Sequence, residues 1–216
     1  MSERSRRRKP RQLELRARTW GGRRKGAGRK PGPRPIVLHR RRPTFDRRAA
    51  LHVTVRMRQG VWNLRSRRSF SRIQQALGAA AVRFDVRFVR FAVLGNHIHL
   101  VVEAPDHRSL GRAMQGFGVR LARAMNAMMG RTGSVLQERY HAHRLRTPTE
   151  TRRAIEYVRH NHARHMAEIG KPVPTRWIDP YSSDSPELAI VLPPPIGWLL
   201  RQGWQRGRPA RSGSGP

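Results

Sequence analysis

The sequence predicts an α+β domain in which helices cover one face of an antiparallel sheet. Residues 51–58 and 97–103 alternate apolar and polar side chains, which is typical of strands with one buried face. Residues 70–80 and 110–128 repeat apolar side chains at the helical period. Between two apolar runs, Gly95–Asn96 is a pair that favours a tight hairpin turn.

The first half of the domain is predicted as strand, helix and hairpin. After the strand at residues 51–58, Ser69 is placed to cap the first helix. Residues 84–94 are rich in Val and Phe and form the second strand. The hairpin turn then folds this strand back onto a third strand that begins at His97.

The second half adds two helices and one more extended segment. Asp106 is the predicted cap of a helix whose apolar stripe carries several methionines, which we interpret as core filling. Residues 135–145 form a short strand or an extended segment. Thr147–Glu150 is a capping box with proline at the first helical position, and its helix extends to about residue 169. This order of elements is ferredoxin-like, or RRM-like.

The composition limits the classes of protein to which the chain can belong. Its 216 residues include 46 Lys and Arg against 13 Asp and Glu, a formal net charge of +33. This charge predicts a polyanionic partner, most simply nucleic acid. Because cysteine is absent, zinc fingers, disulfides and thiol chemistry are excluded, and any metal must use nitrogen and oxygen ligands. No apolar run has the length of a membrane helix, so we expect no membrane partner and a cytoplasmic, bacterial, nucleoid-associated protein.

Three regions are expected along the chain. Residues 1–48 form a basic Arg/Gly/Pro-rich arm with too few apolar side chains to offset its ordering entropy, so we expect disorder when it is free. The arm can lie along phosphates or serve only as a solubilising tail. Residues 49–170 form the folded domain. Residues 171–216 form an extension rich in Pro and Trp, of which Trp177–Tyr181 is expected to lie over the domain.

Two histidines stand on one face of the third strand. Because side chains alternate along an extended chain, His97 and His99 point away from the apolar row that the helices cover. By elimination, His52 and Arg56 of the first strand line the same open face. Two imidazoles at i and i+2 can share one divalent cation, although such pairs also occur by chance on exposed strands.

The last long helix carries a tyrosine and an asparagine on one face. At about 100° per residue, Tyr157 and Asn161 lie roughly 40° apart. Arg153 and Arg164 lie within about 40° of Tyr157, so the same face can contact phosphates or simply be solvated.

These two features together carry a resemblance to a known family. His97–Ile98–His99 after a hairpin, followed by Tyr157–Val158–Arg159–His160–Asn161 on a helix, resembles the single-tyrosine HUH transposases, and among them the REP-associated tyrosine transposases. The resemblance covers about residues 51–169, and the arm sequence Trp20–Gly21–Gly22–Arg23 is similar to arms of that group.

The resemblance implies a fold, a cofactor and a chemistry. It implies the HUH endonuclease fold, a divalent metal ion (Mg²⁺ or Mn²⁺) bound by His97, His99 and Asn161, and Tyr157 as the catalytic residue that attacks DNA. The implied function is that of a transposase-like endonuclease and strand transferase, monomer or homodimer. It would nick and rejoin single-stranded, hairpin-containing DNA through a 5′-phosphotyrosine.

Two positions depart from the pattern of that family. Leu94–Gly95–Asn96 stands where the family commonly has Met-Pro-Asn or Pro-Glu before the first histidine, a difference that touches only the hairpin. His162 follows Asn161 where the family usually has proline, which bears on how the helix continues and on the ligand role of Asn161.

Other interpretations remain open from the residues alone. The chain can be a non-catalytic, domesticated nucleic-acid-binding protein, or a basic RNA-binding protein of the ribosome-associated type. Tyr157 can be an ordinary packing tyrosine, and Tyr140 is the alternative nucleophile. Glu103 falls on the histidine face and can be a residue at the rim of the site.

Overall fold

A computed structural model of the protein describes residues 44–81 and 84–209. The predictions for the arm up to residue 43 and for the tail from residue 210 lie outside these ranges. Within them, no helix is long and apolar enough to cross a membrane. The elements in chain order are β1 Ala49–Arg56, α1 Arg67–Ala81, β2 Arg87–Val93, β3 His97–Ala104, α2 His107–Met129, β4 His141–Leu145, α3 Pro148–Glu168, α4 Trp198–Arg201 and a 3₁₀ helix Gly203–Arg206.

In the described part of the chain, four strands form one antiparallel sheet in the order β2–β3–β1–β4. The central strand β1 places Thr54 opposite His99 of β3 and His52 opposite His143 of β4. This strand order, with the succession β1–α1–β2–β3–α2–β4, is the ferredoxin-like arrangement. The predicted α+β fold class is therefore confirmed.

Helices cover both faces of this sheet. The larger core lies between the sheet and the helices α1 and α2. A smaller core on the opposite face joins the strands to α3, and its members are Ala50, Ala92, Val101, Leu145, Ala154, Ile155, Val158 and Leu200. The expectation of helices on one face therefore holds for α1 and α2 only. Small side chains such as Ala50 and Ala92 on the histidine face leave room for α3 to pack there.

Local signals placed most helix ends well. Thr147 Oγ1 accepts a hydrogen bond from the Glu150 N–H at 3.2 Å, so the predicted capping box is present. The prediction of Ser69 as the cap of α1 is wrong by about one turn. The helix begins at Arg67, and Ser66 Oγ accepts from the Ser69 N–H at 3.1 Å. The second strand begins later than residue 84, because Phe84 and its neighbour adopt positive φ angles in a turn.

The C-terminal extension packs along the outer edge of β2. The Val93 N–H donates to the Tyr181 carbonyl at 2.9 Å, and Arg65 donates to both carboxylate oxygens of the buried Asp179 at 2.9 and 2.8 Å. The prediction that Trp177–Tyr181 lies over the domain is confirmed by these contacts. The extension is therefore part of the framework that surrounds the β2–β3 hairpin.

Candidate active site

The two strand histidines and the helix tyrosine meet on the face of the sheet that α3 covers. The ring centroids of His97 and His99 are 4.8 Å apart. The Tyr157 ring lies edge-on to His99, with 5.1 Å between centroids and 82° between the ring planes. Residues that the sequence separates by a helix, a strand and three connecting segments are thus direct neighbours.

Tyr157 is held at this place by the helix that bears it. Ile155 and Val158 are buried against the sheet, whereas 37% of the Tyr157 surface is exposed. The phenol ring therefore contacts the imidazoles and is still accessible from solvent. A phosphate group in solution can reach it.

Ion pairs and hydrogen bonds fix α3 against the sheet. Asp184 of the C-terminal extension accepts from Arg90 of β2 and, at 2.8 Å, from Nε of Arg159 of α3. At the start of the helix, Arg152 donates to the Gly207 carbonyl at 3.2 Å. These contacts lie two residues beyond Tyr157 and five before it, so they limit how far the tyrosine can move from the histidines.

His99 is buried, and its two ring nitrogens have different surroundings. Nδ1 lies 3.2 Å from Thr54 Oγ1 and 3.2 Å from His52 Nε2. Nε2 is buried and has no hydrogen-bond partner within the described residues. A buried polar atom without a partner is unfavourable in a folded protein unless a ligand or water satisfies it. Nε2 is therefore the atom of His99 that is available to a ligand.

Asn161 presents a second atom of this kind. Its side chain is 2% exposed, and among the described residues no donor reaches Oδ1. Asn161 lies one helical turn after Tyr157 and is one of the buried residues of α3. An amide oxygen is a suitable ligand for a hard cation such as Mg²⁺ or Mn²⁺.

His97 is half-buried at the start of β3. Its Nδ1 lies 2.7 Å from the side-chain oxygen of Asn96 in the hairpin turn. Across residues 44–81 and 84–209, no three His, Asp or Glu side chains are grouped as a metal site.

His52 and His99 stay neutral well below neutral pH, and the pKa of His97 is also lowered. Burial lowers the pKa of His99 to about 3, with smaller contributions from the neighbouring imidazoles His52 and His97 and from Arg56. Burial also lowers the pKa of His52 to about 4, and it is the largest cause of the lowered pKa of His97. Each of these imidazoles therefore keeps a lone pair on one nitrogen at physiological pH.

The lowered pKa values predict that acid destabilises the metal-free protein. The unfolded chain binds protons on its histidines near pH 6.5, whereas folded His99 and His52 resist protonation down to about pH 3 and 4. Stability is therefore complete above about pH 6.5 and is lost as the pH falls below it. We expect urea unfolding in EDTA to show a loss of roughly 2 kcal/mol for each of these two histidines between pH 7 and pH 5.

The variant His99→Gln is expected to flatten this pH dependence, because it removes one group that differs between the folded and unfolded states. His160→Gln, at an exposed position of α3 that is not among the causes of either lowered pKa, is the matched control and should keep the wild-type slope. Equal slopes for wild type and His99→Gln would show that His99 is not the source of the effect.

Two other residues considered from the sequence lie elsewhere. Glu103 is 2% exposed, and its carboxylate accepts the backbone N–H groups of Ile196 and Gly197 at 2.8 and 2.6 Å. It therefore anchors the C-terminal extension and is not at the rim of the histidine site. Tyr140 packs against the larger core, on the face of the sheet covered by α2. The alternative nucleophile is thus on the face opposite the histidines.

The position after Asn161, where the sequence departs from the transposase pattern, is an ordinary helical position. α3 continues to Glu168, and the His162 ring lies 5.6 Å from the ring of Trp177. Histidine in place of proline therefore lets the helix run on and gives the extension a contact on α3.

The sequence placed His52 on the open face but gave no reason to link it to the histidine pair. Its ring stacks on His99 at 5.2 Å and 25°, and it lies edge-on to Tyr157 at 5.7 Å. Nothing in the sequence pattern points to Thr54, which lies directly opposite His99 in the sheet. The signal that could have identified both residues is the register of β1 against β3, which alternation within one strand does not encode.

Fold and site together define a class of protein: a ferredoxin-like α+β domain with an imidazole pair on the central hairpin and a helix tyrosine beside it. No protein-family model matches the chain, and no curated protein matches it. Among solved structures, the chain is similar to a REP-associated tyrosine transposase bound to a REP hairpin, with 17% identity over 58% of this chain and 73% of that one, and a TM-score of 0.47. It is also similar to a candidate transposase from Deinococcus radiodurans, with 12% identity over 62% of this chain and 99% of that one, and a TM-score of 0.40.

Proposed function

We propose that this protein is a transposase-like endonuclease and strand transferase of the REP-associated tyrosine transposase type, which nicks and rejoins hairpin-containing single-stranded DNA. The observation that carries the proposal is the contact of the accessible Tyr157 with His99, whose Nε2 is buried and without a partner. The unpartnered oxygen of Asn161, one turn along the same helix, supports it.

The chemistry follows from the groups that the chain supplies. The Tyr157 oxygen attacks phosphorus of the DNA backbone and loses its proton, and the bond from phosphorus to the 3′ oxygen breaks. The products are a 5′-phosphotyrosine on Tyr157 and a free 3′-hydroxyl on the released strand. Because one phosphoester replaces another, the reverse attack by a 3′-hydroxyl can rejoin DNA without an external energy source.

The residues present fit a divalent cation. His97, His99 and Asn161 would hold Mg²⁺ or Mn²⁺ through two neutral imidazoles and one amide oxygen, and the buried unpartnered atoms of His99 and Asn161 are the ones such an ion would satisfy. When bound, the cation would neutralise a non-bridging phosphate oxygen and favour the phenolate form of the tyrosine.

Charge supplies the attraction for the substrate. The formal net charge is +33, and Arg153 and Arg164 are exposed on α3 within about 40° of Tyr157. Guanidinium groups at these positions can contact the phosphates on either side of the one under attack. The same charge suits a protein that only binds nucleic acid, so binding alone does not distinguish the two functions.

Covalent capture distinguishes them. Full-length protein is incubated with 5′- or 3′-labelled single-stranded hairpin DNA in Mg²⁺ or Mn²⁺, and the products are separated under denaturing conditions. We expect a covalent adduct between the protein and the DNA segment on the 3′ side of the nick, so the adduct retains a label on that segment. EDTA should prevent its formation. Protease digestion should leave only a short peptide attached to the DNA. Binding without an adduct in either metal would favour the non-catalytic protein, and tighter binding to structured RNA would favour the RNA-binding alternative.

A further inference from the structure

We infer that His52 and Thr54 of β1 are positioning residues that fix which nitrogen of His99 carries the proton. The inference deepens the proposed function and depends on it at one point, namely that Nε2 of His99 is the atom that binds the cation. The hydrogen-bond arrangement around the other nitrogen, Nδ1, carries the inference.

Both β1 residues approach the same atom of His99. Thr54 lies directly across the strand pair from His99, and its Oγ1 is 3.2 Å from Nδ1. His52 lies two residues earlier on the same face of β1, and its Nε2 is also 3.2 Å from Nδ1. No described residue offers a partner to Nε2 of His99.

This arrangement selects one tautomer of a neutral imidazole. With its proton on Nδ1, His99 can donate to the Thr54 hydroxyl or to the Nε2 lone pair of His52. Its own Nε2 then carries a lone pair, which is what a metal ligand requires. In the other tautomer Nδ1 could accept from the Thr54 hydroxyl, but Nε2 would bury an N–H without an acceptor and would have no lone pair for a cation.

The same two residues also set the plane of the ring. His52 stacks on His99 with 25° between ring planes, and its edge-on contact with Tyr157 at 5.7 Å links the nucleophile to the same stack. β1 is hydrogen-bonded to β3 on one side and to β4 on the other, so its side chains stand on one of the two inner strands of the sheet. Such outer partners of a ligating histidine orient it and raise its affinity for metal.

The first measurement concerns the metal-free wild-type protein and needs no variant. In protein labelled with ¹⁵N-histidine, long-range ¹H–¹⁵N correlation spectra at neutral pH report which ring nitrogen of each histidine is protonated. We expect His99, assigned by the loss of its signals in His99→Gln, to be protonated at Nδ1. A proton on Nε2 in the folded, metal-free protein would overturn the inference.

The second measurement compares the Mn²⁺ affinity of matched variants. Thr54→Val keeps the side-chain shape without the hydroxyl, and His52→Phe keeps the stacked ring without the acceptor nitrogen. We expect the double variant to show both tautomers of His99 and to bind Mn²⁺ at least about 10-fold more weakly, as electron paramagnetic resonance of free Mn²⁺ would show. His52→Gln restores an acceptor and should recover part of the affinity that His52→Phe loses.

The control is His143→Phe, which removes an exposed histidine opposite His52 on β4 and should change neither the tautomer nor the affinity. Wild-type Mn²⁺ affinity in the folded double variant would contradict the positioning role. Neither measurement involves DNA. Failure of the adduct experiment would therefore reject the nuclease proposal, while the tautomer of His99 and the Mn²⁺ affinity would still test the positioning role.

Discussion

Tyr157→Phe is expected to abolish the covalent adduct and to lower strand cleavage by more than roughly 10³-fold, as removal of a nucleophile does in other enzymes. The substitution deletes only the phenol oxygen. The ring and its edge-on contacts with His99 and His52 stay in place, so the fold and the affinity for DNA should change little. Denaturing gels measure the adduct, and a filter or mobility assay of the same samples measures binding.

Tyr140→Phe is the matched control for that experiment. Tyr140 is the alternative nucleophile, but it packs against the core on the opposite face of the sheet. We expect this variant to form the adduct at the wild-type rate. An adduct that survives Tyr157→Phe and disappears in Tyr140→Phe would assign the chemistry to Tyr140 and reject the site proposed above.

The double variant His97→Ala/His99→Ala is expected to lose specific Mn²⁺ binding and to reduce adduct formation by about 10²- to 10³-fold, since electrostatic stabilisation of the phosphate is lost. The two rings are 4.8 Å apart and supply both nitrogen ligands of the proposed site. Titration with Mn²⁺ measures the binding, and the adduct assay at saturating metal measures the chemical step.

His143→Ala serves as the control because it removes a histidine from the same face while leaving the pair intact. It should bind Mn²⁺ and form the adduct as the wild type does. If the double variant still forms the adduct at the wild-type rate, and EDTA still prevents the reaction, the cation is held by other residues. If the adduct is independent of metal altogether, the chemistry at Tyr157 needs no cation.

The local sequence determined much of this protein. Alternation in β1 and β3 gave both strands and placed His97 and His99 on one face, because a strand has a period of two. The capping box at Thr147 fixed the start of α3, and the helical period brought Tyr157 and Asn161 to one side of it. The net charge of +33 predicts a polyanionic partner.

The tertiary structure alone decided how these parts meet. A strand pattern states which side chains share a face, but it does not state what packs on that face. Ala50, Ala92 and Val101 admit α3 to the histidine side, and Asp184 holds it there through Arg90 and Arg159.

Cross-strand register, which depends on pairing between distant segments, put Thr54 and His52 against Nδ1 of His99. The same long-range packing directed Glu103 to the C-terminal extension and Tyr140 to the opposite core. The sequence therefore determined the candidate reactive groups, and the packing of α3 against the sheet decided which of them are neighbours. That docking sets the distance from Tyr157 to the imidazoles, on which the proposed chemistry depends.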